Sequence, residues 1–103
     1  MTDRDIITGY HETAIIAGLL LHGIEWNRRH GLLLQNLIEQ VEQMQRELFR
    51  FEMIMDAIPD RRVRNVIRCR YALGMTETET AEFLGLSRGT IARIISDTLN
   101  RFS

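Results

Sequence analysis

The chain has no lysine. All thirteen basic residues among its 103 are arginines, set against fourteen acids for a net charge of −1. It also has one cysteine, Cys69, and one proline, Pro59. A lone cysteine excludes an intramolecular disulfide framework and a cysteine-based zinc cluster. A lone proline permits long uninterrupted helices. Alternating β-branched runs are missing, which argues against a sheet protein. The longest apolar run, residues 14–21, is about half of the ~20 residues a membrane helix needs. The acidic start MTDRD does not resemble a secretion signal, so we expect a cytoplasmic protein with no membrane partner. No glycine-rich phosphate loop, nucleophile elbow or paired-carboxylate site is visible. His11, His22 and His30 do not have metal-ligand spacing. The expectation is therefore a protein that is not an enzyme, with no metal, no cofactor and no small-molecule substrate.

A net charge near zero argues against a nucleic-acid partner only if it is uniform along the chain. It is not. Residues 1–53 carry five arginines and eight acids, whereas residues 54–103 carry eight arginines and six acids. The two halves differ in sign, the first hint of divided labour.

The periodicity predicts an all-α protein. A first helix is expected from about Asp3 to Leu21, ended by Gly23. From Ala14 to Leu21 it is apolar nearly all round, as expected of a helix covered on more than one side. A second helix, beginning near Glu25 or Leu32, should run to Ala57. Along it Leu34, Leu37, Val41, Met44, Leu48, Phe51, Met55 and Ile58 follow at alternating steps of three and four. Such an unbroken heptad seam predicts coiled-coil-like packing. Leu33, Ile38 and Ile54 widen the stripe, as if the first helix also packs there. We read the seam from Leu34 to Met55 as a homodimer surface, because an arm this apolar on a short chain has little else to bury against. Trp26 is expected to anchor the junction of the two helices. Met44, Met53, Met55 and Met75 read as core fillers, and Cys69 as a small buried hydrophobe.

Pro59 stops the seam. Asp60 is placed to cap a third helix from Arg61 to Leu73, and Gly74 to close it. Thr76 and Glu79 form a capping box for a short helix from Glu77 to Leu84. Gly85 closes it, and Ser87 caps a last helix from Arg88 to about Arg101. Two short helices around a Gly-Leu-Ser turn are the helix-turn-helix pattern. Ala81 supplies the small residue where its helices cross, and Leu86 the apolar residue under the turn. On the last helix Ile91, Ile94, Ile95, Thr98 and Phe102 share one stripe. Gly89, Ala92, Arg93, Ser96 and Asn100 lie opposite, with Arg88 at the tip. In DNA-binding versions that outer stripe enters the major groove.

At these residues the chain resembles a known family. IPDRRVRNVIRCRYALGMTETETAEFLGLSRGTIARII is similar to the fourth region of sigma-70-type factors. It is more similar still to small phage and prophage proteins sharing that module, including late-operon activators of the ArpU and RinA kind. Arg70-Tyr71-Ala72-Leu73-Gly74, Glu79-Thr80-Ala81 and Gly85-Leu86-Ser87 carry the likeness, with Thr80 a departure at a usually aliphatic position. The resemblance covers about residues 54–102. It implies a sigma-like three-helix domain over residues 58–103, and the heptad seam before it gives a helical oligomerisation arm over residues 1–57. It also implies a structural Arg70–Glu79 salt bridge between helices. The implied function is a phage-type transcriptional regulator that binds double-stranded DNA as a homodimer. Ser87, Arg88, Thr90, Arg93 and Ser96 would read the groove, while Arg62, Thr76 and Arg101 would contact phosphates. Gly89 and Ala92 stand where such helices often carry polar donors, so base readout should be sparse. The cluster Arg61, Arg62, Arg64 and Arg68 reads equally as a solvated face or as phosphate contacts. Two alternatives stay open at this point. One is a DNA-packaging component like a small terminase subunit, and the other a module that contacts RNA polymerase.

Overall fold

In the computed structural model, which describes residues 1–29 and 35–103, the secondary structure is helical throughout. Five α-helices follow one another: α1 Asp3–Arg29, α2 Gln35–Asp56, α3 Arg61–Ile67, α4 Glu77–Leu84 and α5 Arg88–Arg101. A π-helical turn over Arg68–Ala72 extends α3, with the Leu73 amide bonded to the Arg68 carbonyl at 2.9 Å. Among the described residues there is no strand.

The first two helices form an antiparallel hairpin. Tyr10 of α1 stacks on Phe51 of α2 with ring centroids 4.0 Å apart. Lower down, Asp3 accepts from Arg50 Nε at 3.0 Å. The expected end of α1 at Gly23 is corrected, since the helix continues to Arg29. Gly23 keeps a helical backbone, so its cost is the roughly 1 kcal/mol of an interior glycine rather than a break. Trp26 consequently lies within α1, near its end, and is 52% exposed.

The heptad seam of α2 is filled within the chain. Val41, Phe51, Met55 and Ile58 are buried, and Leu37, Met44 and Leu48 are half-buried. Leu34, at the top of the seam, and the neighbouring His30, Leu32 and Leu33 lie outside the described residues. The reading of the seam as a surface between copies is thereby corrected for its lower part. Fully buried side chains such as Phe51 and Met55 have no face left for a second chain. Met53, one position off the seam, points outward at 58% exposure and is not a core filler.

The core runs without a break past the expected boundary at residue 57. Ile6 and Ile7 of α1 and Phe51, Ile54 and Met55 of α2 share one cluster with Val66, Ile67, Ala81, Ile91, Ile95 and Leu99. Full burial of each large member contributes about 1.5–3 kcal/mol. Hydrogen bonds reinforce the junction. The Arg4 amide donates to the Phe102 carbonyl at 3.2 Å, tying the start of α1 to the end of α5. Nδ1 of His11 donates to the Ala72 carbonyl at 2.9 Å, which requires the proton on Nδ1. The His11 ring lies against Gly74, whose φ of +72° places it in the left-handed region. The hairpin is therefore built into the C-terminal half and does not hang from it.

Candidate nucleic-acid interface

Local sequence sets each turn of the C-terminal half. Asp60 accepts from the Arg62 amide at 2.8 Å and starts α3 after Pro59. Thr76 and Glu79 form the expected capping box, each side chain accepting from the other's backbone amide at 3.1 Å. The Thr76 amide, and after it the Thr76 hydroxyl, hold the Glu79 carboxyl below its ordinary range. Gly85 closes α4 at φ +67°, as its lack of a Cβ allows. The Leu86 amide bonds back to the Ala81 carbonyl at 3.0 Å. Ser87 then opens α5, accepting from the Thr90 amide at 3.1 Å.

Thr80, the departure from the usual aliphatic residue, is fully buried. Its hydroxyl donates to the Thr76 carbonyl at 2.8 Å, so the polar atom is satisfied and the methyl fills the aliphatic place. Cys69 is buried, and burial pushes its thiol up, leaving little thiolate to react.

The expected Arg70–Glu79 ion pair does not form. Glu79 is exposed and occupied with its own helix start, while Arg70 Nη1 donates to the Met75 carbonyl at 3.3 Å. The Arg70 guanidinium also lies over the Tyr71 ring at 5.1 Å. The Glu79 carboxylate turns to the Thr76 amide at its own helix start, and the Arg70 guanidinium to the Met75 carbonyl. Sequence reasoning missed the ion pair that is made instead. Arg68 grips Glu52 of α2 through both guanidinium nitrogens, at 2.8 and 3.1 Å, and holds the Glu52 carboxyl below its ordinary range. Arg64 is also engaged, donating to the Ile58 and Pro59 carbonyls that end the hairpin. Of the four-arginine cluster on the third helix, Arg61 and Arg62 are left exposed to solvent. They line a recess of about 350 Å³ with Asn65, Leu84 and Leu86, beside the helix-turn-helix turn.

The last helix has the two faces expected of a reading helix. Ile91, Ile95, Thr98 and Leu99 are buried, with Ile94 half-buried. Arg88, Gly89, Ala92, Arg93, Ser96 and Asn100 are all exposed. Arg88 and Arg93 have no ion pair among the described residues. Ser87 and Thr90 are less available, because their hydroxyls hydrogen-bond each other at 2.8 Å within the cap. Arg101 lies at the far end of α5, over the Phe102 ring at 5.9 Å, about 20 Å along the axis from Arg88. Thr76 is exposed, but Glu77 and Glu79 follow it, so an approaching phosphate would meet two carboxylates there. Among the described residues no three histidine, cysteine or carboxylate side chains gather as a metal site, and no helix is long and apolar enough to cross a membrane.

A short helix, a left-handed glycine turn and a capped helix with one polar face outward define a helix-turn-helix domain on a helical hairpin. Residues 55–102 match the family model of sigma-70, region 4, so the C-terminal half is a sigma-70 region 4-like helix-turn-helix. A domain of that family supports a DNA-binding role in transcription regulation. No curated protein and no solved structure matches the chain.

Proposed function

We propose that the protein is a transcriptional regulator of phage or prophage type that binds duplex DNA as a homodimer, with α5 in the major groove. The observation that carries this reading is the outward stripe of α5. The side chains of Arg88, Arg93 and Ser96 are exposed, with no ion pair or hydrogen bond among the described residues, on a helix whose other side is locked into the core by Ile91 and Ile95. Arg93, one turn into the helix, is placed for a bidentate contact to guanine, and Ala92 for a thymine methyl. Arg61 and Arg62 suit phosphate contacts beside the turn, and Arg101 a phosphate at the far end. In this reading the protein is not an enzyme, takes no cofactor or small-molecule substrate, and works in the cytoplasm.

The test is a gel-shift titration of genomic fragments at several salt concentrations. Affinity should fall with salt at a slope of about −0.9 for each phosphate neutralised. Replacing Arg93 by Ala should remove about 1–3 kcal/mol of sequence preference. Absence of binding at low salt overturns the reading. A second reading, docking onto RNA polymerase, draws on Phe83 and Leu73, which stand 67% and 60% exposed on the same half of the chain. Retained polymerase binding together with no DNA binding would select it.

A further inference from the structure

A second seam runs along the outer side of α2. The buried seam takes one side of the helix, with Phe51 stacked on Tyr10 of α1. On the opposite side Glu42, Arg46, Phe49, Met53 and Asp56 follow at steps of four, three, four and three. All five are exposed. Phe49 and Met53, one turn apart, stand at 67% and 58% exposure. They make an apolar centre with an arginine on one side of it and an aspartate on the other. Spacing of this kind is what a helix shows to another helix lying along it. The two charges are also uncommitted within the chain. Glu52, not Asp56, takes the Arg68 guanidinium, and Asp56 has no hydrogen bond or ion pair among the described residues. Arg46 holds the neutral side chain of Gln43, at 2.8 Å, and no carboxylate.

We propose that this outer seam of α2 is where two copies of the chain pair, α2 against α2, antiparallel and related by a two-fold axis. The inference rests on the reading of the protein as a two-copy DNA binder and assigns the face that joins the copies. Charge decides both the occupant and its direction. Arg46 and Asp56 lie about 15 Å apart along the helix axis, too far to meet within one chain. In a parallel pair each would meet its own kind, a like-charge contact at both ends of the seam. The antiparallel register that sets Phe49 on the partner's Met53 also sets Met53 on the partner's Phe49. In that register Arg46 is level with the partner's Asp56, and Asp56 with the partner's Arg46. The two-fold axis makes every contact twice, so the seam is complementary to itself as a closed dimer requires. A methionine sulfur against an aromatic ring is itself a favourable contact. Four layers of side chains make a small interface, below the roughly 1,200 Å² of standard ones, so the dimer should have micromolar rather than nanomolar strength.

Sedimentation of the full chain over a range of micromolar concentrations tests this. The natural chain should pass reversibly from monomer to dimer. Phe49→Glu and Met53→Glu should each give monomers, with the helical circular dichroism of the natural chain retained. Arg46→Asp and Asp56→Arg should each weaken self-association roughly tenfold or more, since each sets like charges against each other twice. The double variant Arg46→Asp/Asp56→Arg should recover it, because the exchanged charges again face their opposites across the two-fold axis. A natural chain that stays monomeric at the highest concentration overturns the proposal and hands the seam to a different protein. A dimer indifferent to Phe49→Glu and Met53→Glu, or a folded double variant that does not recover, overturns it too. Gel shifts on the same samples separate this inference from the reading it rests on. DNA binding by a monomeric natural chain leaves α5 as the reader while this face falls. A dimer with the expected variant pattern that binds no DNA leaves this face standing while the DNA reading falls.

Discussion

Gly74→Ala tests the junction between hairpin and reader at one atom. Gly74 has φ +72°, and a Cβ built there would lie 2.6 Å from Nε2 of His11 and 2.8 Å from both Cδ2 and Cε1. Two costs follow. Alanine in left-handed backbone costs about 1–2 kcal/mol. The ring must also retreat, and it is clamped by the 2.9 Å bond from Nδ1 to the Ala72 carbonyl. Losing that bond costs about 1 kcal/mol more. The expected total is about 2–3 kcal/mol, a fall in melting temperature of roughly 10 °C or more for a domain of this size. Because one core spans both halves, a single unfolding transition should carry the whole change. The discriminating measurement is a double-mutant cycle by thermal or urea unfolding. In a His11→Ala background the obstacle is gone, so Gly74→Ala should cost only the backbone share, about 1–2 kcal/mol. Equal costs in both backgrounds would refute the claim that the His11 ring occupies the space.

Other expectations follow from the same geometry. Glu79→Ala should lower the urea midpoint only slightly, as the loss of an exposed capping interaction does; a loss as severe as that of a broken buried ion pair would instead mark Arg70 as its partner. Glu52 sits below its ordinary carboxylate value because Arg68 bonds its charged form. Its contribution to stability is therefore present above the ordinary value and is lost as pH falls through the lowered one. Glu52→Gln should flatten the acid limb of the stability–pH curve, with a loss at neutral pH of about 0.5–1 kcal/mol for so solvated a pair; an unchanged acid limb would show the pair is inert. Arg101→Ala should weaken binding to all DNA sequences equally and reduce the salt slope by about 1, as measured by titration at several salt concentrations.

The features that were legible in the sequence are the ones decided within four residues. Asp60, the Thr76–Glu79 box, Gly85 and Ser87 each act on their own helix end, so type and position alone located α3, α4 and α5. The faces of α5 were legible for the same reason. Interactions between distant segments were not. The three–four spacing of α2 announces a buried stripe, but spacing is blind to whether the cover comes from α1 or from a second chain. Arg70 and Glu79 each find a partner near in sequence, the Met75 carbonyl and the Thr76 amide, which helical spacing does not reveal. The Arg68–Glu52 pair spans sixteen residues and a chain reversal at Pro59, and His11 meets Ala72 across sixty-one, beyond any local pattern.

The shared core has a mechanical consequence. The molecule is 53 Å long but only 25 by 17 Å across, and the root of the hairpin is welded into the reader by Ile6, Ile7 and Phe51. A disordered tether would let two readers find half-sites at many separations. In the proposed dimer a stiff arm would act as a ruler, holding the two readers at one distance and one angle. Operators should then tolerate changes of whole helical turns poorly and half-turn insertions not at all, since the second reader would arrive on the wrong side of the duplex.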